Sequence, residues 1–245
     1  MIKSISIVVP VYNGIRTIEQ LVDRLIKTLK NLGADFEIIL VDDGSRDNSF
    51  NIMEKIYSLK ENIKIIKLDG NYGQQNALIC GLAASKKELV VTIDDDLQYP
   101  PEEIEKLIKK LEEGYEVVYG IPKDKKHSSF RNIGTRATDL LFRVLYSKPQ
   151  DIKISSFRVI KADVVKRIIV SKESFVYISA LTFKITRNIA NVSVSHSSRE
   201  FGRSNYNIYK LLELFFKIVI YYSERIDLSF LKSEKAQFVV EKKFT

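Results

Sequence analysis

Through the first half of the chain, short apolar runs alternate with longer stretches in which apolar residues recur every three or four positions. The runs are ISIVVPV (5–11), FEIILV (36–41), IKIIKL (63–68), LVVTI (89–93) and YEVVYG (115–120). They are β-branched and apolar nearly throughout, the pattern of strands covered on both faces. Residues 15–31 carry Ile18, Leu21, Val22, Leu25, Ile26 and Leu29 at helical spacing, and 101–113 repeat it with Ile104, Leu107, Ile108 and Leu111. Two further helices are expected over 46–60 and 74–86. This alternation predicts an α/β fold with a parallel, doubly wound sheet. Right-handed crossovers would bring the C-terminal ends of the strands to one edge, where open α/β sheets bind ligands.

The residues that leave those strands are unusually polar: PVYNG after the first, DDGSRD after the second, DGNYGQQN after the third and DDDLQYPP after the fourth. Turn formation and helix capping account for single residues such as Ser45 and Asp47. They do not account for Asp42, Asp43, Asp69, Asp94, Asp95 and Asp96 gathering on one edge. Carboxylates so crowded repel one another. A divalent cation removes the conflict, because Mg²⁺ or Mn²⁺ takes hard oxygen ligands, often one or two carboxylates together with substrate phosphates. In extended backbone Asp94 and Asp96 share a face, Asp95 points away, and Gln98 continues the alternation with an amide oxygen. The expected site is a metal seat of Asp94, Asp96 and Gln98, whose ion bridges to a diphosphate and neutralises its charge as it leaves. No G-x-G-x-x-G follows a strand and no G-x-x-x-x-G-K-[ST] occurs, which excludes the glycine cradles of dinucleotide and P-loop proteins.

The second half is less regular. KDKKHSSFRNIGTR reads as a basic loop leading into a helix over about 131–147, SSFRVIKADVVKRI as a short strand or turn entering a helix, and IANVSV as a strand before a second basic loop. Across its 245 residues the chain carries a formal net charge of +8, so an anionic partner is expected. A nucleic acid is a poor choice, since the strand exits are acidic and no basic stripe is interleaved with aromatics. Cys80 is a lone cysteine inside ALICGLAAS; it reads as a small core residue and suits a reducing compartment. The opening MIKSISIVVPVYNG has too short an apolar stretch for a signal peptide, and no window approaches the ~18 apolar residues of a membrane span.

IVVPVYNG, VDDGSRD, GNYGQQNALICGL and IDDDLQYPPE follow one another as in the family 2 glycosyltransferases of GT-A fold. The D-x-D-L-Q-x-P form resembles the dolichyl- and undecaprenyl-phosphate sugar transferases, as do ISSFRVIK and HSSREFGRSNYNIYKLLEL further on, so the likeness covers about residues 4 to 225. The resemblance implies a mainly parallel, Rossmann-like sheet flanked by helices. It also implies transfer, with inversion, from a UDP- or GDP-linked sugar to a polyprenyl phosphate. Carried over by position, Pro10, Tyr12, Asn13 and Asp42 would line the nucleoside pocket, with Asp43, Asn71 and Asp95 beside them. Asp94, Asp96 and Gln98 would serve metal and diphosphate; Arg131, Arg199 and Arg203, with Ser204, would face phosphates. Arginine suits that role because its planar fork donates two hydrogen bonds to phosphate oxygens.

Two departures accompany the likeness. Asn205 stands where the family's S-K-Y segment has lysine, and Arg203 is the nearest cation to compensate. Many bacterial relatives continue into transmembrane helices, whereas this sequence ends at SERIDLSFLKSEKAQFVVEKKFT; it is either naturally short or truncated before such helices. The implied organisation is a nucleotide-sugar half (1–120), an acceptor half (121–206), and an amphipathic helix with a tail (207–245). Along 207–224 a narrow polar stripe of Asn207, Lys210, Glu213, Lys217 and Glu224 interrupts an apolar surface. Such a helix either packs on the domain or lies in a bilayer interface, and Phe215–Phe216 and Tyr221–Tyr222 are its interfacial aromatics. The expected location is cytoplasmic, peripheral on the membrane's cytoplasmic face. The competing readings are a family 2 enzyme acting on a glycan hydroxyl, which would need a carboxylate base, and an inactive scaffold that keeps the fold.

Overall fold

A computed structural model of the chain describes residues 4–123, 142–143, 145, 148–171, 174–197, 208–222, 229–232 and 236–245. Strand β1 (Ser4–Val11) runs through the middle, flanked in parallel register by β2 (Asp35–Asp42) and β4 (Leu89–Thr92), with β3 (Ile63–Leu68) parallel to β2. Beyond β4 come β6 (Arg158–Lys161), β5 (Val117–Pro122) and β7 (Ile189–Val194); β8 (Val240–Phe244) lies outside β3. The eight strands are ordered β7-β5-β6-β4-β1-β2-β3-β8. The expectation of a mainly parallel sheet therefore holds. The four central strands obey it, but β6 is antiparallel to both β4 and β5, and β8 is antiparallel to β3. The chain proceeds β1, β2, β3 to one side and returns to β4 on the other, so the order reverses between β1 and β4. A crevice opens at such a reversal.

Helices cover both faces because every central strand is apolar on both. Along β1, Ile5, Ile7, Val9 and Val11 face a core shared with α1 (Ile18–Asn31), α2 (Ser49–Leu59) and α4 (Ile104–Glu112). Val8 faces the opposite core, with α3 (Gln74–Ala84), α5 (Ala162–Ile168), α6 (Ile178–Ile185) and α7 (Ile208–Tyr222). The expected strand and helix positions agree with these spans to within a few residues in the first half. Helix α6 is short and buried over most of its length, Ser179 and Thr182 included, so it gives little of the periodic signal of an amphipathic helix. VEKKF in β8 has no apolar run; its strand character comes from pairing with β3.

The two uses considered for the amphipathic helix are now distinguished residue by residue. Tyr221 and Tyr222 are buried: the Tyr222 hydroxyl donates to the Phe175 carbonyl at 3.0 Å and accepts the Tyr177 N–H at 2.9 Å. Ile218 joins them in the core, while Phe216 stays 60% exposed and Lys217 pairs with Glu213 at 2.7 Å. The tyrosine pair is thus core, not an interfacial anchor. Among the described residues no helix is long and apolar enough to cross a membrane.

Candidate active site

The exits of β1 and β2 are stitched together by their own polar side chains. Asp43 N–H donates to the Val11 carbonyl at 2.8 Å. Asn13 adopts a left-handed φ of 55°, which asparagine tolerates. Its N–H donates to Ser45 Oγ at 3.0 Å, and its Oδ1 accepts the Arg46 N–H at 2.8 Å. Just ahead of the N-cap residue Asn48, Asp47 accepts the Ser49 N–H of the first turn of α2 at 3.0 Å and also the Ile15 N–H at 3.4 Å. The capping reading of Ser45 does not hold, because α2 begins at Ser49 and the Ser45 hydroxyl accepts the Asn13 N–H instead; that of Asp47 holds in part, since it bonds the first amide of α2 and also the neighbouring loop. Pro10 is buried in β1 opposite Val41, and Tyr12 is 43% exposed at the rim.

Asp42 and Asp43 are adjacent and do different things. Both oxygens of Asp43 are used by backbone: Oδ1 accepts the Tyr72 N–H at 2.7 Å and Oδ2 the Gly73 N–H at 2.9 Å. Burial nevertheless pushes this carboxyl up to about 6, the two amides opposing the shift. Asp42 is fully buried, and its Oδ2 accepts the Ser45 N–H at 3.3 Å. Its Oδ1 has no hydrogen-bond partner among the described residues. A buried oxygen left open in this way is costly unless a ligand supplies a donor. Asn71 lies exposed on the loop between β3 and α3 that Asp43 holds.

The acidic run leaves β4 by turning, not by extending. Leu97 takes a left-handed φ of 59° with its side chain buried, so the alternation expected from Asp94 to Gln98 does not persist. Instead the Gln98 N–H donates to Asp96 Oδ1 at 3.1 Å, and its Nε2 donates to the Ser197 carbonyl at 3.4 Å. Asp95 does point away: it sits beneath the β1–α1 loop, where the Tyr12 N–H bonds to it and a Cβ on Gly14 would strike its carboxylate. Burial first, and then Asp94 and Asp96, push Asp95 up to about 7. Asp94 is raised by burial and by the Asp96 charge, and Ser156 opposes the rise.

Asp94 is held from two sides by residues whose role the sequence did not disclose. Gln74 Nε2 donates to its Oδ1 at 2.5 Å, and Ser156 Oγ to its Oδ2 at 2.7 Å. Behind them lies Arg158, buried to 1% exposure. Its Nε donates to Thr92 Oγ1 and its Nη1 to Ser179 Oγ, both at 3.1 Å, and its guanidinium charge favours the ionised form of Asp94. Thr92 in turn donates to the Ser156 carbonyl at 2.5 Å. Tyr99 stacks on Phe157 at 5.0 Å, and His196 meets Tyr99 edge-on at 4.9 Å. Ser156 and Arg158 lie within ISSFRVIK, so the segment was visible, but no spacing rule gave those side chains a task.

The structure thus brings Pro10, Tyr12, Asn13, Asp42, Asp43, Asn71 and Asp94–Gln98 to one edge of the sheet. Arg131, Arg199, Arg203 and Ser204 lie outside the described residues, as do His127 and Asn205. Among the described residues no three His, Cys, Asp or Glu side chains converge as metal ligands. The donor set that is present, two neighbouring aspartates, suits a Mg²⁺ or Mn²⁺ ion that completes its shell with phosphate and water oxygens.

The profile of the family described as "Glycosyl transferase family 2" matches residues 6–169, which takes in every strand exit described above. The chain belongs to glycosyl transferase family 2. It is a glycosyltransferase of mainly parallel α/β architecture. It is 33% identical over 219 residues to an undecaprenyl-phosphate 4-deoxy-4-formamido-L-arabinose transferase of Proteus mirabilis (strain HI4320), covering 89% of this chain and 67% of that protein. Among solved structures it resembles glucosyl-3-phosphoglycerate synthase from Mycobacterium tuberculosis in complex with Mn²⁺, UDP and phosphoglyceric acid. The TM-score is 0.67 at 20% identity, over 89% of this chain and 76% of that one. A second structure of an M. tuberculosis glucosyl-3-phosphoglycerate synthase, with Mg²⁺ and UDP, gives a TM-score of 0.65 at 20% identity, over 89% and 77%. This glycosyl transferase family 2 chain therefore shares its fold with enzymes that have been crystallised with a divalent ion and UDP.

Proposed function

We propose that this family 2 glycosyltransferase moves a sugar from a UDP- or GDP-linked donor to a polyprenyl phosphate, with inversion at the anomeric carbon. The observation that carries the reading is a division of labour at the strand exits. A buried carboxylate with one open oxygen, Asp42, shares an edge with the carboxylate pair Asp94 and Asp96. Asp42 Oδ1 suits an N–H of the base, uracil or guanine. Asp94 and Asp96 would hold the divalent ion. That ion would supply neutralisation of the charge that grows on the departing diphosphate. Gln74 and Ser156 keep Asp94 aimed, and the Asp96 charge acts on it.

The acceptor reading is supported by the 33% identity to a transferase whose name specifies undecaprenyl phosphate. It is also supported by chemistry. A phosphate monoester has its second pKa at about 6, so its oxygen attacks without a base. The new bond joins that oxygen to the anomeric carbon, the bond to the donor diphosphate breaks, and the nucleoside diphosphate leaves with the electron pair. Positioning and charge neutralisation then carry the rate. A hydroxyl acceptor would need a base near neutrality, and Asp95, pushed to about 7, is turned beneath the β1–α1 loop. Arg131, Arg199, Arg203 and Ser204 are assigned to the acceptor phosphate. We place the enzyme peripherally on the cytoplasmic face of the membrane, with Phe216 directed outward from α7.

The test is a panel of UDP- and GDP-sugars incubated with undecaprenyl phosphate and Mg²⁺ or Mn²⁺, followed by mass spectrometry of the lipid fraction. One donor is expected to yield a lipid-linked sugar. Transfer only to a soluble glycan would refute the acceptor assignment, and hydrolysis or transfer from none of the donors would refute the donor assignment as well.

A further inference from the structure

Strand β8 pairs with β3, and its contacts continue into the loop that β3 sends towards the donor pocket. The attachment is most specific at Val239. The Asp69 N–H donates to the Val239 carbonyl at 3.1 Å, the Val239 N–H bonds to the Tyr72 hydroxyl, and that hydroxyl donates to Asp69 Oδ1 at 2.8 Å. Val239 therefore closes a hydrogen-bonded ring with two residues of the β3–α3 loop. The same loop is tied in the other direction by its backbone, since the Tyr72 and Gly73 amides are the donors that occupy Asp43. Tyr72 is thus held by its amide at the pocket and by its ring at the tail. Two residues further on, Glu241 pairs with Lys67 at 2.8 Å. Lys67 sits opposite Asp42 in the β2–β3 register, and its charge favours the ionised form of Asp42.

We propose that residues 239–244 form a strap that presets the β3–α3 loop for the nucleotide, with Tyr72 and Val239 as positioning residues for donor binding. The inference rests on the donor reading above and adds to it a segment far along the chain. A loop already fixed need not be ordered when the ligand arrives, so loosening it weakens binding without removing any ligand contact. The lever is local: loss of one hydrogen bond at the strap is expected to weaken nucleotide binding by about threefold to tenfold.

The test uses the full chain with Tyr72→Phe, which removes the hydroxyl, and Val239→Pro, which removes the amide hydrogen from the other side of the same bond. Hydrogen exchange of peptides spanning 69–76 is measured by mass spectrometry, and calorimetry with UDP and GDP in Mn²⁺ gives the affinity. Both variants are expected to keep the wild-type circular dichroism, to exchange faster over 69–76, and to bind the nucleotide about threefold to tenfold more weakly. The double variant should be little worse than Tyr72→Phe alone, because loss of the hydroxyl already breaks the bond that Val239→Pro removes. Unchanged exchange in Tyr72→Phe overturns the strap, and so does faster exchange with unchanged affinity. A wild-type protein that binds neither nucleotide overturns the donor reading itself, and this inference with it.

Discussion

Ser156 donates its hydroxyl hydrogen to Asp94 Oδ2 at 2.7 Å, and so the segment entering the antiparallel strand β6 aims the first carboxylate of the acidic run. The run itself cannot do this, since it turns at Leu97 immediately afterwards. Hydrogen bonds to a charged acceptor contribute about 1.5–3 kcal/mol. Ser156→Ala is therefore expected to weaken Mn²⁺-dependent nucleotide binding by about tenfold or more, with the melting temperature within a few degrees of wild type. Calorimetry and thermal denaturation check both halves, and wild-type affinity in the variant would mean that Asp94 needs no such support.

Asp42 is expected to separate stability from function. Its buried, open oxygen makes the ligand-free protein less stable than it could be, because burial opposes the charge. Asp42→Asn keeps an oxygen for the Ser45 amide and removes the charge. The variant should melt at or above the wild-type temperature while nucleotide affinity falls by about tenfold or more. A variant that binds as tightly as wild type would remove Asp42 from the base pocket.

Arg158 is a structural commitment of a different kind. Its side chain is buried against Thr92, Ser179 and the Tyr119 ring. Arg158→Met would leave two hydroxyls without their donor and take a balancing charge from Asp94, at a cost of about 2–4 kcal/mol. Urea denaturation measures it, and a loss below about 0.5 kcal/mol would show that the network is not a stabilising one.

These residues mark where the sequence was legible and where it was not. The β1 to β5 runs and their helices could be read because burial on both faces leaves an apolar signature that does not depend on the partner. The acidic edge could be read because like charges in a row demand an explanation. The direction of Gln98 could not, since a single left-handed residue at Leu97 ends the alternation and leucine gives no warning of it. Nor could Gln74, Ser156 and Arg158 be assigned, because their function is set by pairing across 20, 62 and 66 positions respectively, to Asp94, Asp94 and Thr92. β8 was missed for the same reason: its pairing with β3 is a tertiary choice.

The buried carboxyls also predict how stability varies with pH. Asp95 is pushed to about 7 and Asp43 to about 6, both from an ordinary value of 3.8. The folded protein thus holds protons that the unfolded chain releases, so their contribution is fully present below about 4 and is lost as pH rises through 6 to 7. In EDTA the melting temperature should fall across this window, by an amount corresponding to the order of a few kcal/mol, and Asp95→Asn should flatten the fall. A flat wild-type profile between pH 4.5 and 7 would contradict the assigned burial.

The central claim is that a divalent ion lets Asp94 and Asp96 hold an anionic donor. It is tested most directly by titrating UDP and GDP into wild type and Asp96→Ala, each with and without Mn²⁺. The account predicts that one nucleotide binds wild type at least about tenfold more tightly with Mn²⁺, and that Asp96→Ala, still folded, loses that increment. Equal affinity with and without the ion, or an unchanged increment in Asp96→Ala, would contradict it.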